Sequence, residues 1–99
     1  MITRIVKMEI KPGSIQTFME YFSSHAIHMQ EVQGCASLQL VHSIDDENIF
    51  FTISEWHRAE DLQSYRHSDL FKKIWSAVKP LFCAPAQAWS TESLYHGKN

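Results

Sequence analysis

Two side chains in this sequence are suited to act on an organic molecule, one indole and one imidazole. Trp56 ends a β-prone stretch, where its N–H could donate to a substrate oxygen or a developing oxyanion and its ring could stack on the substrate. His25 borders a helical apolar face, displaced by roughly 60° from the stripe of Phe18, Phe22 and Met29 on a helix of about 3.6 residues per turn. A histidine there is a candidate general base, since its ordinary pKa is about 6.5. We therefore predict catalytic roles for Trp56 and His25.

The spacing of the histidines and cysteines argues against a metal site and against a cysteine nucleophile. His28 lies three positions after His25, but no carboxylate or third histidine follows at helical spacing on that face. Cys35 and Cys83 lie far apart and lack the paired spacing of a metal site. We predict no metal, and we interpret both cysteines as small apolar core residues.

The composition predicts one globular domain over residues 1–99, with 44% hydrophobic and 20% charged residues. Nine basic and eleven acidic residues give a net charge of −2 without a basic run, which argues against a nucleic-acid partner. No apolar run approaches the ~20 residues of a membrane span. The cysteine usage and the absence of a secretory pattern at the N-terminus predict a cytoplasmic protein without a membrane partner.

Alternating apolar residues predict three strands, at residues 2–10, 35–43 and 49–56. The polar turn at residues 45–48 makes the second and third of these a hairpin. Between the first two, apolar residues at helical spacing predict a helix over residues 14–31, with Ser14 as its N-cap and Gly34 as the residue that stops it.

After Trp56 the apolar residues return to helical spacing. A short helical segment over residues 59–66 is followed by a helix that Ser68 can cap, whose apolar face carries Phe71, Ile74, Trp75, Val78 and Phe82. Pro80 and Pro85 bracket its end. Weak alternation over residues 86–95 predicts a last strand, with Trp89, Thr91 and Tyr95 on one face.

The resulting order, β-α-β-β-α-β, predicts an α+β fold of the ferredoxin-like split βαβ type, an antiparallel sheet with its helices on one side. The third strand carries apolar residues on both parities, with Ile49, Phe51 and Ile53 on one and Phe50 and Trp56 on the other. Both faces of the sheet should therefore be covered. We predict a homodimer in which the two sheets face each other.

Several segments, in their order and spacing, resemble the antibiotic biosynthesis monooxygenase (ABM) superfamily of dimeric α/β barrels over nearly the whole chain. They are Gly34-Cys35, Asp45-Asp46, Ser54-Glu55-Trp56, Ser68-Asp69-Leu70-Phe71-Lys72 and Val78-Lys79-Pro80-Leu81. The resemblance implies a homodimer whose last strand reaches toward the partner, with a separate pocket between sheet and helices in each subunit. Members of the superfamily include cofactor-independent monooxygenases of quinols and aromatic polyketides, IsdG-type haem-degrading enzymes, and proteins without an assigned activity.

The resemblance also implies which residues line that pocket. Tyr65 stands where quinol-oxidising relatives carry a histidine, and its hydroxyl could orient a substrate, so it joins Trp56 and His25 as a predicted catalytic residue. Thr52 stands where polyketide oxygenases carry an asparagine, and Trp75 where haem degraders carry their axial histidine. The predicted substrate-binding residues are Phe22, Thr52, Phe71 and Trp75.

Three functions remain open from the sequence. The first is a cofactor-independent monooxygenase, without metal or flavin, that lets the anion of a quinol or aromatic polyketide-like phenol react with O₂. The alternative is a non-catalytic dimeric binding protein for a small hydrophobic metabolite, favoured by the replaced histidines. The third, a haem-degrading monooxygenase, is disfavoured because Trp75 offers iron no ligand and narrows the pocket.

Overall fold

Residues 1–97 fold as four β-strands and three α-helices, in the order that the sequence predicts. The computed structural model describes residues 1–97. The strands are β1 (Ile2–Glu9), β2 (Cys35–His42), β3 (Ile49–Trp56) and β4 (Gln87–Glu92), and the helices are α1 (Ile15–Gln30), α2 (Ala59–Arg66) and α3 (Asp69–Val78). The predicted domain reaches residue 99, and its last two positions lie outside the described residues.

The four strands form one antiparallel sheet in the order β2-β3-β1-β4, which is the α+β ferredoxin-like topology predicted from the sequence. In the central pair, Met8 lies opposite Phe50 and Arg4 lies opposite Ser54. Because side chains alternate along a strand, this register places the even-numbered residues of both strands on one face of the sheet and the odd-numbered residues on the other.

The helices cover the even-numbered face of the sheet. There, Met8 and Ile10 of the first strand region and Phe50 of β3 form the buried core with Phe18 of α1 and Val78 of α3. The rings of Phe18 and Phe50 lie 5.1 Å apart between centroids, which joins α1 directly to the sheet. The core therefore occupies the end of the sheet where β1 finishes and β3 begins.

The odd-numbered face of the sheet carries apolar side chains that no helix of the described chain covers. Ile5 lies opposite Ile53 on one side and Trp89 on the other, and Phe51 is paired with Val41 of β2. Trp89 is 47% exposed. These side chains form an apolar patch bordered by Lys7 and Gln39, which lie opposite Phe51 and Ile53. An apolar patch on an uncovered sheet face is typical of a surface that meets another protein.

Four details differ from the sequence predictions. Ser14 stands at the predicted N-cap of α1, after a 3-10 turn in which its N–H donates to the Lys11 carbonyl oxygen, but its side chain makes no capping bond. The last strand stops at Glu92, so Tyr95 lies beyond it. Phe82 lies past the end of α3 and bridges to the sheet. Cys83 is exposed rather than part of the core.

Gly34 is confirmed as the residue at which the chain turns between α1 and β2. Its φ of 86° lies in the left-handed region that side chains with a Cβ rarely adopt, and a Cβ at this position would overlap the side chain of Asp61. The Gly34 carbonyl also accepts a 2.9 Å hydrogen bond from the N–H of His57, so the turn cannot easily move away.

We expect Gly34→Ala to lower the free energy of unfolding by about 2 kcal/mol or more, because alanine is strained at this φ and collides with Asp61. Urea denaturation of both proteins measures the difference. Gly13→Ala is the matched control, since a Cβ at Gly13 meets nothing within 4 Å and its backbone needs no positive φ. Equal losses in the two variants would contradict the prediction.

Candidate functional site

A cavity of about 370 Å³ lies between the even-numbered face of the sheet and the three helices. This volume falls in the usual range for small-molecule sites. Trp75 is part of the wall and leaves the cavity open. Most of the lining is apolar, from Val6, Met8, Phe18, Phe22, Met29, Leu38, Leu62, Phe71, Ile74, Trp75, Val78, Ala86 and Ala88; the remaining lining residues are Arg4, Cys35, Thr52, Ser54, Trp56, Tyr65 and Arg66.

One wall of the cavity is a continuous row of aromatic rings. Trp56 of β3 stacks on Tyr65 of α2 at 5.3 Å between centroids, and Tyr65 meets the edge of Phe71 at the same distance. Phe71 in turn stacks on Trp75 at 5.9 Å, with the ring planes only 8° apart. α2 and α3 thus attach to the sheet through aromatic contacts that also present ring surface to a ligand.

Trp56 lines the cavity with its ring while its polar atom is already paired. The side chain is only 2% exposed, and Nε1 donates a 2.9 Å hydrogen bond to Oγ of Ser54, two residues earlier on the same face of β3. Ser54 is buried, and among the described residues its hydroxyl makes no second side-chain hydrogen bond. The Ser54 hydroxyl is therefore free to donate its own proton to an oxygen in the cavity.

Tyr65 remains a neutral hydroxyl over the whole physiological pH range. Desolvation by burial, with a smaller contribution from the charge of Cys35, raises the pKa of Tyr65 to about 12. Burial likewise raises the pKa of the Cys35 thiol, despite its weak contact with the Ser37 carbonyl. Neither side chain is a base at neutral pH, and each is a potential hydrogen-bond donor.

Two arginines bring positive charge to this largely apolar cavity. Arg4 projects from β1, opposite Ser54 and Ser90 on the neighbouring strands, and its Nη1 donates a 2.9 Å hydrogen bond to Oγ of Ser90. Arg66 is the last residue of α2. Partial burial lowers the pKa of Arg4, and the nearby positive charge of Arg66 lowers it further.

His25 does not line the cavity. Its ring stacks on Tyr21 with the centroids 4.0 Å apart, and its Nδ1 lies 2.9 Å from the Tyr21 carbonyl oxygen, one turn earlier on α1. A second contact joins Nδ1 to Oγ of Ser24. These local contacts hold the imidazole against its own helix. The structure thus separates His25 from the other predicted site residues.

The remaining predicted site residues meet in one place. Trp56 and Tyr65 line the cavity, as do the four residues predicted to bind substrate, Phe22, Thr52, Phe71 and Trp75. They come from α1, β3, α2 and α3, so the cavity depends on all three helices packing on the same side of the sheet.

Sequence reasoning missed Arg4, Ser54 and Arg66 as lining residues. A signal for Arg4 and Ser54 was present, because both share the parity of buried neighbours, Arg4 with Met8 and Ser54 with Trp56. A polar residue at an inward-facing strand position is unusual enough to mark a cavity. Arg66 carries no such signal, since a basic residue in the last turn of a helix is common without any ligand.

Residues 1–97 contain no cluster of three or more histidine, cysteine or acidic side chains that could hold a metal ion. None of the helices in that part of the chain combines the length and the apolar character needed to cross a membrane.

Comparisons with known proteins agree with this architecture. The structure of a conserved protein from Methanosarcina mazei Go1 superposes with a TM-score of 0.86 at 21% identity, covering 91% of this chain and 89% of that one. The structure of an antibiotic biosynthesis monooxygenase superposes with a TM-score of 0.88 at 16% identity, covering 96% of this chain and 100% of that one. Rv0793 from Mycobacterium tuberculosis gives 0.87 at 15% identity, with 98% of each chain covered. At these identities the likeness establishes the fold.

The family comparison adds a sequence-level match. No curated protein matches the chain. The family model of antibiotic biosynthesis monooxygenases matches residues 1–76, which include β1 to β3, α1, α2 and most of α3. That segment carries all seven predicted site residues, including the Ser54-Glu55-Trp56 sequence that ends β3. The chain therefore belongs to the antibiotic biosynthesis monooxygenase family.

Proposed function

We propose that this protein is a cofactor-independent monooxygenase that oxidises an electron-rich aromatic molecule, such as a quinol or a polyketide-like phenol, with O₂. The observation that carries the proposal is the cavity itself, in which a row of four aromatic rings runs beside a hydroxyl with a free proton. The rings of Trp56, Tyr65, Phe71 and Trp75 suit a flat aromatic ligand. Family membership supplies the reaction type.

The hydrogen bond between Trp56 and Ser54 gives the cavity a polarised donor. Because Ser54 Oγ accepts from the indole N–H, its own O–H becomes a stronger donor. Directed at the oxygen of a bound phenol, that donor stabilises the phenolate relative to the neutral form. The Tyr65 hydroxyl, protonated throughout the neutral range, is a second donor beside it. Trp56 therefore acts through Ser54, as a positioning residue.

The substrate itself supplies the electrons for the proposed reaction. The phenolate gives electron density to O₂ through a hydrogen-bearing ring carbon ortho or para to its oxygen, which in a quinol is an ortho carbon, and a C–O bond forms there as a peroxide. After the peroxide gains a proton, loss of water from C–H and O–OH leaves a carbonyl. One atom of O₂ enters the product and the other leaves as water, so phenol plus O₂ gives quinone plus H₂O.

We further propose that the protein works as a homodimer whose sheets pack together through their odd-numbered faces. The centre of this face is apolar, with Ile5, Phe51 and Ile53 flanked by Trp89 and Val41. β4 is exposed along its whole length, as expected of a strand that meets a second subunit. The cavities lie on the opposite face, so each subunit would keep its own.

A non-catalytic binding protein for a small hydrophobic metabolite is the second candidate function, and one observation favours it. Among the described residues, no histidine, aspartate or glutamate lines the cavity, and His25 is held against α1, so none of these side chains is placed to act as a general base. An unreactive ligand would be recovered unchanged while raising the melting temperature. Mass spectrometry of the ligand after incubation in air separates this function from the oxidation.

We expect the wild-type protein to consume O₂ with at least one member of a panel of quinols and polycyclic phenols, and Ser54→Ala to lower kcat about 100-fold. The variant loses the donor that stabilises the phenolate, and removal of one such donor typically costs that much. An oxygen electrode measures the rate. Ser76→Ala, an exposed serine on the outer side of α3, is the control and keeps the wild-type rate.

Trp56→Phe keeps an aromatic ring but removes the N–H that polarises Ser54, so we expect an intermediate loss in kcat with little change in KM. The same electrode assay, run with and without air, provides the measurement. Absence of O₂-dependent turnover across the panel, or equal rates for wild type, Ser54→Ala and Trp56→Phe, would rule out the proposed oxidation.

For the dimer, we expect wild type to sediment at twice the mass of the chain and Ile53→Asp to sediment as a monomer. The aspartate would place a charge in the middle of the apolar face, where a partner could not solvate it. Ile27→Asp is the control, because Ile27 is 48% exposed on α1, which packs on the other side of the sheet. A monomeric wild type, or a dimeric Ile53→Asp that remains folded by circular dichroism, would contradict this assembly.

A further inference from the structure

We propose that the natural ligand of this cavity is an aromatic acid whose carboxylate is bound between the guanidinium groups of Arg4 and Arg66. The inference deepens the proposed function and rests on it only for the position of the site. The same cavity that would hold the ring to be oxidised also offers these two cations. The ligand class is thereby narrowed from any flat phenol to one that carries a negative group.

Arg4 occupies a position on the sheet that normally holds an apolar side chain. It lies on the even-numbered face of β1, two residues before Val6, which also lines the cavity. One of its five N–H donors is used by Ser90 Oγ, which anchors the guanidinium and leaves four donors for other acceptors. A planar guanidinium held in this way is suited to bidentate contact with a carboxylate.

Within residues 1–97, no side-chain carboxylate forms a salt bridge with either of these two arginines. Among the described residues the only salt bridge joins Arg58 to Glu60, at the opposite end of α2 from Arg66. The cavity lining contains no aspartate or glutamate. Burial lowers the pKa of Arg4, and the positive charge of Arg66, which lines the same cavity, lowers it further. Two like charges at an apolar cavity repel each other until an anion lies between them.

The charge of the cavity is also opposite to that of the whole chain. The protein carries eleven acidic and nine basic residues, a net charge of −2, yet every charged residue that lines the cavity is basic. The pair is therefore a local feature, independent of the general surface composition. The apolar remainder of the cavity selects a hydrophobic body for the ligand, and the arginines select its charge.

The test uses binding alone, with two probes of the same shape. 2-Naphthoate carries a carboxylate and 2-naphthamide replaces it with a neutral amide, and neither bears the hydroxyl that the proposed oxidation needs. We expect calorimetry on the full chain at pH 7.5 to give a Kd for 2-naphthoate at least about tenfold lower than for 2-naphthamide, since hydrogen bonds to a charged group are the stronger kind. Added salt should weaken only the naphthoate complex.

The variants assign that preference to particular side chains. We expect Arg66→Gln to remove most of the tenfold preference for 2-naphthoate, and because Arg66 is exposed the variant should fold normally. Arg4→Gln should remove the same preference. Arg4→Lys keeps the charge but loses the planar fork, so it should retain only part of the preference. Arg58→Gln is the matched control at the other end of α2, because Arg58 pairs with Glu60 and lies outside the cavity.

Three outcomes would overturn the inference: equal binding of both probes to wild type, no binding of either, or an equal loss in Arg58→Gln and Arg66→Gln. The result is independent of turnover. Tight, arginine-dependent naphthoate binding in a protein that consumes no O₂ with any phenol would leave the ligand class standing and defeat the monooxygenase. Turnover of a phenol without a preference for 2-naphthoate over 2-naphthamide would leave the monooxygenase standing and defeat the proposed ligand class.

Discussion

The register between β1 and β3 is the constraint on which the site depends. Opposite pairs along these strands, Met8 with Phe50 and Arg4 with Ser54, share one face of the sheet. A slip of one residue would send every side chain of a strand to the other face, because the period of a strand is two. The core would then lose Met8, and the cavity would lose Arg4. Burial of Met8, Phe50 and Phe18 in one cluster holds the register, and the functional face follows from it.

The same two strands divide the cavity side of the sheet into a filled end and an open end. Toward Met8 and Phe50 the space is packed by Phe18 and Val78. Toward Ser54 and Trp56 the sheet is covered by the short helix α2, which contributes Tyr65 and Arg66 to the cavity lining. The aromatic row along α2 and α3 forms one wall of the cavity, because its rings pack against one another from Trp56 to Trp75. Space for a ligand is thus built into the fold.

Much of this arrangement was predictable from the sequence, because alternation and helical spacing are strong signals over eight or more residues. β3 has the predicted bounds, and Ser68 caps α3 with a hydrogen bond from the Phe71 N–H as expected. The end of the chain was harder to predict. β4 is an edge strand with no buried residue in the described chain, so its pattern is weak and its predicted extent to residue 95 was too long.

The site was harder to predict than the fold, because sequence spacing does not determine where a polar side chain near the edge of a helix turns. His25 borders the apolar face of α1, yet its imidazole folds back onto Tyr21, a local contact that no periodicity reveals. Arg4 is the converse case. In the sequence it only interrupts the apolar pattern of β1, whereas the sheet register places it on the cavity face, opposite Ser54. A cavity without a carboxylate or an imidazole cannot readily remove a proton, but it can favour the anion of a ligand. Positive charge and a hydrogen-bond donor lower the pKa of a bound acid or phenol. In the proposed reaction the two arginines and the Ser54 hydroxyl would therefore stabilise the anion, whereas His25 lies outside the cavity and could not take the proton.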